Sequence, residues 1–330
     1  MGTRRSRGFP VAAALAVLAG TSSAWADAAP DTAPASNAAA RAPAAAPAAA
    51  APTSLPGPRA APPEASPRSL PHRWAPRLPN AHPVEYGAMV AFAAGALAMS
   101  RVTSVNRHWD RFAPDEAFRG LLRLNDPNAR HTVRNISDGL WYGSMLYPVA
   151  DAIFVVGPRT VNVAWQLFVV DGEALALGAL ESQLLEPTAG RARPFVRGCG
   201  KNSNYDLDCE TSDPQKYESF ISGHTLMSFT GAGLTCANHL YLPIYGARAA
   251  DVAACAGALT IAATEGTMRV MSDRHYMSDV AVGALLGFAT GYGTPALLRY
   301  RRARAPDASL LVVLPYASST GGGAVVASTF

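Results

Sequence analysis

The stretch ISGHTLMSFTGAGLTCANHLYLP, residues 221–243, sets a pattern that recurs along the chain from residue 83 onward. Ser222 is a residue type that caps helices, about twenty mostly apolar residues follow it, and Pro243 ends the run. Apolar stretches of similar length lie at 84–100, 139–157, 160–185, 249–268 and 279–298. Because each has helical length and most end at Pro or Gly, the sequence predicts an all-α bundle of about six core helices.

The first 26 residues have the form of a secretory signal peptide. Arg4, Arg5 and Arg7 precede an apolar segment, and the small residues Ala24 and Ala26, on either side of Trp25, suit cleavage. Without those three arginines the net charge falls from +4 to +1. The signal peptide predicts an exported, periplasmic protein. No basic block remains in the rest of the chain, so no nucleic-acid partner is predicted.

Composition divides the rest of the chain into three segments. Residues 27–82 are dominated by Ala and Pro and are predicted to form a disordered spacer. The helical domain is predicted over 83–305. In the tail, 306–330, two short apolar runs flank a Ser-Ser-Thr-Gly-Gly-Gly segment, which is typical of a small β-hairpin.

Four cysteines accompany the predicted export into an oxidising compartment. Cys199 and Cys209 lie in one polar loop and are candidates for a disulfide. Cys236 and Cys255 lie in apolar helical stretches, where packed thiols and a second bridge are both compatible with the sequence.

Two short motifs place anion-binding groups at helix ends. In the first, Arg191 and Arg193 precede Pro194, which ends a helix, and guanidinium groups offer planar forks to phosphate. In the second, Ser222 and Gly223 open a helix whose free backbone amides favour an anion, and His224 follows in the first turn.

A third motif, Arg269-Val-Met-Ser-Asp-Arg-His275-Tyr-Met-Ser-Asp279, opens the last long apolar stretch. His275 and Asp279 are four residues apart, which puts them on one helix face. A carboxylate bonded to one ring nitrogen would fix the tautomer of His275 and leave the other nitrogen free to attack.

The order Arg-Pro, Ser-Gly-His and Arg-x5-His-x3-Asp resembles the phosphatidic acid phosphatase type 2 family, which includes vanadium haloperoxidases and bacterial acid phosphatases. The resemblance covers roughly residues 139–298 and implies a helical bundle with the active site at one end. It implies that His275 attacks phosphorus, that Asp279 orients this histidine and that His224 protonates the leaving oxygen. It implies further that the phosphoryl oxygens are held by Arg193, Ser222, the Gly223 amide and Arg269. For hydrolysis it implies no metal and no cofactor.

One position departs from the family pattern. Where the family usually has a lysine seven residues before the arginine of Arg-Pro, this chain has Glu186. Arg191, Arg274 and Lys201 are the candidates to replace the lost cation. A carboxylate in a phosphate pocket is repulsive, so Glu186 is expected to pair with an arginine or to point away.

The apolar stretches raise the question of membrane insertion. They are long enough to span a bilayer, but several carry acids, such as Asp171 and Glu265. With a cleaved signal and six spans, the basic loop 101–134 and the arginines after residue 298 would lie on opposite sides, against the positive-inside rule. The sequence therefore favours a soluble or peripherally attached protein, with an integral inner-membrane protein as the alternative.

Three functions are consistent with these motifs. The leading hypothesis is a phosphatase that acts on a lipid phosphate or a small periplasmic phosphomonoester or diphosphate through a phosphohistidine. The first alternative is a haloperoxidase that uses the same pocket with vanadate as its cofactor. The second is a non-catalytic phosphate-binding protein whose pocket has been spoiled by Glu186. The sequence does not determine the substrate or the oligomeric state.

Overall fold

The computed structural model describes Trp74, residues 78–109, 111–211 and 213–300, and the backbone of 310–318 and 321–329. The predicted signal peptide, 1–26, and most of the predicted spacer, 27–82, lie outside the described residues. Trp74 was assigned to the spacer, but it is only 6% exposed and packs among Val163, Leu167 and other core residues. The packed domain therefore begins before residue 83.

Helices make up nearly all of the described domain. They are α1 (Pro83–Met99), α2 (Ala113–Leu122), α3 (Pro127–Ala150), α4 (Val161–Ala189), α5 (Asp206–Cys209), α6 (Asp213–Lys216), α7 (Gly223–Tyr241), α8 (Arg248–Met271) and α9 (Met277–Pro295). Short 3₁₀ segments lie at Pro194–Gly198 and Ser203–Tyr205, and π-helical segments at Asp151–Val156 and Ala296–Tyr300. The predicted all-α class is confirmed, and each predicted stretch coincides with a long helix.

Helix α7 is the centre of the bundle, and nearly all of its residues are buried. It packs against α3, α4, α8 and α9. Small residues permit this close approach: a Cβ at Gly231 would collide with the carbonyl of Ser144 in α3. In α9, a Cβ at Gly287 would collide with the carbonyl of Leu226 in α7. These glycines therefore allow the helix backbones to approach one another closely.

Helix α2 was not predicted, although it fixes loops at one end of the bundle. It carries helix-start signals, with a proline and two acids in its first turn, but too few apolar residues to stand out as a core helix. Arg119 in its last turn donates two hydrogen bonds of 2.7 Å to the carboxylate of Asp273. Asp115 in its first turn is buried and accepts from the backbone amide of Ser278 at 2.8 Å.

Both pairs of cysteines form disulfides. Cys199 and Cys209 close the polar loop, as predicted. Cys236 and Cys255 also form a bridge, which links α7 to α8 and decides between the two alternatives that the sequence left open.

The described tail consists of two antiparallel strands, β1 (Leu310–Ser318) and β2 (Gly321–Thr329), with Leu310 opposite Thr329 and Ser318 opposite Gly321. A single two-stranded ribbon is marginally stable in water. A stable C-terminal hairpin therefore stays a prediction.

Three described segments are long and apolar enough to cross a membrane: Pro127–Val156, Val161–Gly198 and Met277–Tyr300. Large apolar side chains project from them into solvent, among them Phe154, Val161 and Leu285, each about three-quarters exposed. Surfaces of this kind mark contacts with lipid or protein. They indicate membrane association, whereas the sequence favoured a soluble or peripherally attached protein.

A buried polar cluster lies around His239, near the C-terminal end of α7. The His239 ring contacts Asp151 through Nε2 at 2.9 Å and Asp251 through Nδ1 at 2.8 Å. Tyr245 donates its phenolic hydrogen to Asp151 at 3.0 Å. Burial lowers the pKa of His239, but the hydrogen bonds to the two carboxylates outweigh it, so the pKa is raised above 6.5. The sequence had given this histidine no role.

We expect this cluster to make the domain less stable as the pH rises. Because the folded-state pKa of His239 is above its unfolded value, the protonated ring stabilises the fold fully below about pH 6.5. That contribution is lost as the pH rises through the raised pKa. Thermal unfolding from about pH 6 upward should show a falling Tm in the wild type and a flatter profile in His239→Gln. An equally steep profile in the variant would exclude His239 as the cause.

Candidate active site

The three sequence motifs meet at one end of the bundle, where backbone hydrogen bonds join their loops. The Ser219 amide donates to the carbonyl of Arg191 at 3.0 Å. The Phe195 amide donates to the carbonyl of Asp273 at 3.2 Å, and the Ser222 amide to that of Asp279 at 3.2 Å. The loop after α4, the start of α7 and the α8–α9 connection are therefore held as one unit.

His275 is buried at the centre of this unit, in the connection between α8 and α9. Its Nδ1 is 2.7 Å from the carbonyl oxygen of Ser219. A carbonyl oxygen only accepts, so Nδ1 carries the hydrogen and Nε2 keeps its lone pair. Burial, followed by the positive charges of Arg193 and Arg269, lowers the pKa of His275 well below 6.5. The ring is therefore neutral and has a free nitrogen for attack.

Asp279 orients His275 differently from the prediction. Its Oδ2 is 3.9 Å from Nδ1 of His275, too far for the expected hydrogen bond. Instead, Oδ2 accepts from the hydroxyl of Ser219 at 2.6 Å and from the backbone amide of Tyr276 at 2.8 Å. His275 precedes α9, which begins at Met277, so the two residues do not share a helix face as predicted. Asp279 instead contacts Ser219, whose carbonyl holds the ring.

Arg191, the predicted auxiliary phosphate ligand, is occupied by other partners. Its guanidinium donates to the carboxylates of Asp115 and Asp279 and to the hydroxyl of Ser278 at 2.8 Å. It also lies over the ring of Tyr276, 4.2 Å from the centroid. These contacts explain why Arg191 is buried. Its guanidinium joins Asp115 in α2 to Ser278 and Asp279 in α9, so its terminal nitrogens are already occupied by these partners.

His224 lies in the first turn of α7, on the rim of the site. Its Nε2 is 3.3 Å from Oδ1 of Asp138, and its ring packs 4.5 Å from the ring of Trp141. Burial and the charge of Arg269 lower the pKa of His224 to about 4, although the hydrogen bond to Asp138 partly offsets them. Without a bound anion this histidine is therefore neutral at physiological pH.

Ser222 and Gly223 do not present free groups to an anion as predicted. The buried Ser222 hydroxyl caps α7 by accepting from the Thr225 amide at 3.4 Å, and it contacts the Thr225 hydroxyl at 2.9 Å. Gly223 packs against the carboxylate of Glu186 and the hydroxyl of Ser182, so closely that a Cβ would collide with both. Both residues lie beside the predicted pocket, but Ser222 is hydrogen-bonded to Thr225 and Gly223 is packed against Glu186.

Glu186 neither forms an ion pair with an arginine within the described residues nor points away. It lies near the N-terminus of α7, where its Oε1 accepts from the Ser182 hydroxyl at 3.2 Å. The Gly223 amide also donates to it, and Arg193 and Glu218 are its charged neighbours. The carboxylate therefore occupies the helix N-terminus that the sequence had assigned to phosphate.

Guanidinium groups with unused donors surround His275. Arg269 donates from Nη1 to Ser137 at 2.9 Å and to Asp138 at 2.7 Å, but its buried Nε has no hydrogen-bond partner within the described residues. The buried Nε of Arg193 likewise lacks a partner among them, as do Nε and Nη2 of Arg274. Buried donors of this kind cost free energy unless something accepts from them, and a phosphoryl group offers several acceptor oxygens.

Sequence reasoning missed several residues that complete this site. Asp138 and Arg134 come from α3, just before the predicted stretch at 139–157, and match no motif. Ser219 lies three residues before the Ser-Gly-His motif and acts partly through its backbone carbonyl, which no residue type reveals. Only contacts across the fold could have found them.

Comparisons with known proteins agree with the motif order. The family model of the PAP2 superfamily matches residues 169–303. The chain is 34% identical over 125 residues to a protein named "Probable diacylglycerol pyrophosphate phosphatase 1" from Schizosaccharomyces pombe. That alignment covers 33% of this chain and 45% of the relative, so the chain spans less than half of the relative's length. The chain matches no solved structure. The matched region contains all three motifs of the site, so residues 169–303 form a region similar to the PAP2 superfamily.

Proposed function

We propose that this protein is an exported, membrane-associated phosphatase that hydrolyses a lipid phosphate through a phosphohistidine on His275. One observation carries the proposal. A buried neutral histidine with a free Nε2 lies among guanidinium groups, those of Arg193 and Arg269, whose buried Nε donors lack partners within the described residues. Phosphoryl transfer needs mainly a positioned nucleophile and positive charge around the equatorial oxygens.

In the first step, Nε2 of His275 attacks phosphorus, and the bond from phosphorus to the ester oxygen breaks. His224 gives its proton to the departing oxygen, so the leaving group departs as an alcohol or, from a diphosphate, as a protonated phosphate. The negative charge of the bound phosphoryl group offsets Arg269, which lowers the pKa of His224 in the free protein. Substrate binding therefore favours the protonated ring that the step requires.

In the second step, water attacks the phosphohistidine and the phosphorus–nitrogen bond breaks. His224, now neutral, accepts a proton from that water, which restores both histidines and releases inorganic phosphate. Asp138 contacts both His224 and Arg269, so it holds the acid–base histidine next to an arginine that binds the phosphoryl group. Asp279 keeps the nucleophile in place through Ser219.

Two observations favour a lipid as the substrate. The long helices expose large apolar side chains and include three candidate membrane spans. The relative from Schizosaccharomyces pombe carries a name that refers to a lipid diphosphate. Residues 1–26, with the form of a signal peptide, support export, which would place the site on the periplasmic side or within the outer leaflet.

Purified full-length protein in detergent tests the proposal. It should release phosphate from phosphatidic acid and from diacylglycerol pyrophosphate in the presence of a chelator, since the proposed steps use no metal or cofactor. Generic aryl phosphates serve as soluble reference substrates. Activity on soluble esters alone would remove the lipid assignment, and phosphate binding without turnover of any substrate would refute the enzyme assignment.

We expect Glu186→Gln to improve phosphate binding. Burial raises the pKa of Glu186 to about 7, so the measurement is made at about pH 8, where the carboxyl is charged. There the substitution removes a negative charge beside Arg193 and keeps the packing against Ser182 and Gly223. The inhibition constant for inorganic phosphate should fall by about 3- to 10-fold, the size expected for removing one screened like-charge contact. Ser182→Ala, which keeps the carboxylate, is the matched control and should leave the inhibition constant nearly unchanged.

Weaker phosphate binding by Glu186→Gln would contradict this interpretation, because it would make the carboxylate a positive element of the site. It would also argue against the view that Glu186 spoils the pocket.

A further inference from the structure

Arg274 lies next to His275 in the chain, and nothing in the established motif assigns it a role. The residue is 1% exposed, yet Nε and Nη2 of its guanidinium have no hydrogen-bond partner among the described residues. Its guanidinium carbon lies 4.8 Å from the centroid of the Phe195 ring. Burying a charged group whose donors contact an aromatic ring but no acceptor costs free energy, because a buried charge normally needs an ionic or hydrogen-bonding partner.

The surroundings of Arg274 add to this cost. Burial, and then the positive charges of Arg193 and Arg134, lower the pKa of Arg274 to about 9, and Arg269 acts in the same direction. Asp208 acts in the opposite direction but forms no ion pair with Arg274, because its carboxylate pairs with Arg130 at 3.2 Å. Four guanidinium groups therefore share one region. Among the described residues Asp138 pairs with Arg269, whereas Arg274 forms no ion pair.

The position of Arg274 fits the phosphate site. Phe195, on which it lies, follows Arg193 by two residues, and the Phe195 amide is bonded to the carbonyl of Asp273. The Arg274 amide donates to the carbonyl of Arg269 at 3.0 Å. Arg274 is thus fixed between the two arginines that flank the nucleophile.

Three residues are candidates to supply the missing cation: Arg191, Lys201 and Arg274. Arg191 has partners on both terminal nitrogens of its guanidinium. Lys201 is exposed in the loop between Cys199 and Cys209. Arg274 is buried, has unused donors and has Arg193 and Arg269 as charged neighbours, so it is the candidate that can reach an anion bound by those two arginines.

We propose that Arg274 is a direct phosphate ligand, and that it supplies the positive charge which is lost where Glu186 stands in place of a lysine. The inference rests on the proposed function, because it takes the phosphoryl group of the substrate as the missing partner of these donors. In this arrangement the planar fork of Arg274 binds phosphoryl oxygens next to Arg193 and Arg269.

The test combines phosphate binding with turnover in the full-length protein in detergent. Inorganic phosphate should raise the Tm of the wild type. Arg274→Gln should keep a ligand-free Tm at or above that of the wild type, since it removes an unpaired buried cation, but its phosphate-induced shift should largely disappear. Its kcat should fall by about 10²- to 10³-fold, as for loss of one donor to a transition-state oxyanion. Lys201→Gln is the matched control and should behave as the wild type.

A second variant covers the case in which Arg274→Gln does not fold. Arg274→Lys keeps the charge but loses the fork, so it should bind phosphate several-fold more weakly than the wild type while remaining active. Wild-type phosphate binding in either folded variant would overturn the proposal, and so would a lower ligand-free Tm with an unchanged phosphate shift. If the wild type hydrolyses no phosphate ester, the proposed function fails, but the phosphate-binding arm still tests Arg274.

Discussion

Replacing His275 by alanine should abolish phosphate release, with kcat expected to fall by at least about 10⁴-fold, as for the loss of other enzymatic nucleophiles. The reason is chemical, since Nε2 of His275 forms the bond to phosphorus, whereas Nε2 of His224, the other histidine of the site, contacts Asp138. Initial rates on an aryl phosphate and on phosphatidic acid measure the effect. His108→Asn is the matched control, because His108 is exposed and asparagine tolerates its positive φ.

The His275→Ala result is informative only if the variant folds and still binds phosphate. The cavity left by the ring borders Arg193 and Arg269, so inorganic phosphate should still raise the Tm of the variant. Retention of more than about a tenth of the wild-type kcat in a folded variant would show that another group attacks phosphorus.

Replacing His224 by glutamine should have the second-largest effect, and its size should depend on the leaving group. Loss of general acid catalysis lowers kcat by about 10²- to 10⁴-fold when the departing oxygen is a poor leaving group, as in a lipid or alkyl phosphate. A nitrophenolate departs without a proton, so the loss on p-nitrophenyl phosphate should be much smaller. The ratio of the two losses is the measured quantity.

Asp138→Asn provides the matched comparison for His224. It keeps the shape of the contact with the ring and with Arg269 but removes the carboxylate charge. We expect the kcat of Asp138→Asn to fall less than that of His224→Gln, and to fall more on alkyl phosphates than on p-nitrophenyl phosphate. Equal losses on alkyl and nitrophenyl phosphates in His224→Gln would contradict the assignment of His224 as the leaving-group acid.

The helical architecture was predictable because the core helices carry long apolar stretches that end at Pro or Gly. Helix α2 was not, since its contribution lies in two charged contacts, through Asp115 and Arg119, rather than in apolar area. The Trp74 contact was missed for a related reason. A single aromatic in an Ala- and Pro-rich segment gives no periodic signal, although the bundle buries it.

The identity of the catalytic histidines could be proposed from the sequence, but the contacts that tune them could not. The spacing of His275 and Asp279 suggested a direct hydrogen bond, whereas the fold places Ser219 between them, with its carbonyl on His275 and its hydroxyl on Asp279. The motif places Arg191 and Arg193 two residues apart, and this spacing does not reveal that they have different partners. One pairs with Asp279, while the other has a buried donor without a partner in the described residues.

The same limit applies to Glu186, Arg274 and His239. The family resemblance marks Glu186 as a departure from the motif, but only the fold shows that it packs on Gly223. In the sequence Arg274 and Arg191 are equivalent candidates for an additional cation. In the structure Arg191 has carboxylate partners, whereas Nε and Nη2 of Arg274 have no partner among the described residues. His239 matched no motif because its two carboxylate partners come from separate elements, before and after it in the chain.

The stereochemical course at phosphorus tests the phosphohistidine most directly. A substrate with an isotopically chiral phosphoryl group would be turned over in the presence of an acceptor alcohol, and the configuration of the product would be read. Two successive in-line displacements, first by Nε2 of His275 and then by the acceptor, predict net retention. Net inversion would mean that the acceptor attacks the substrate directly, and it would contradict a covalent role for His275.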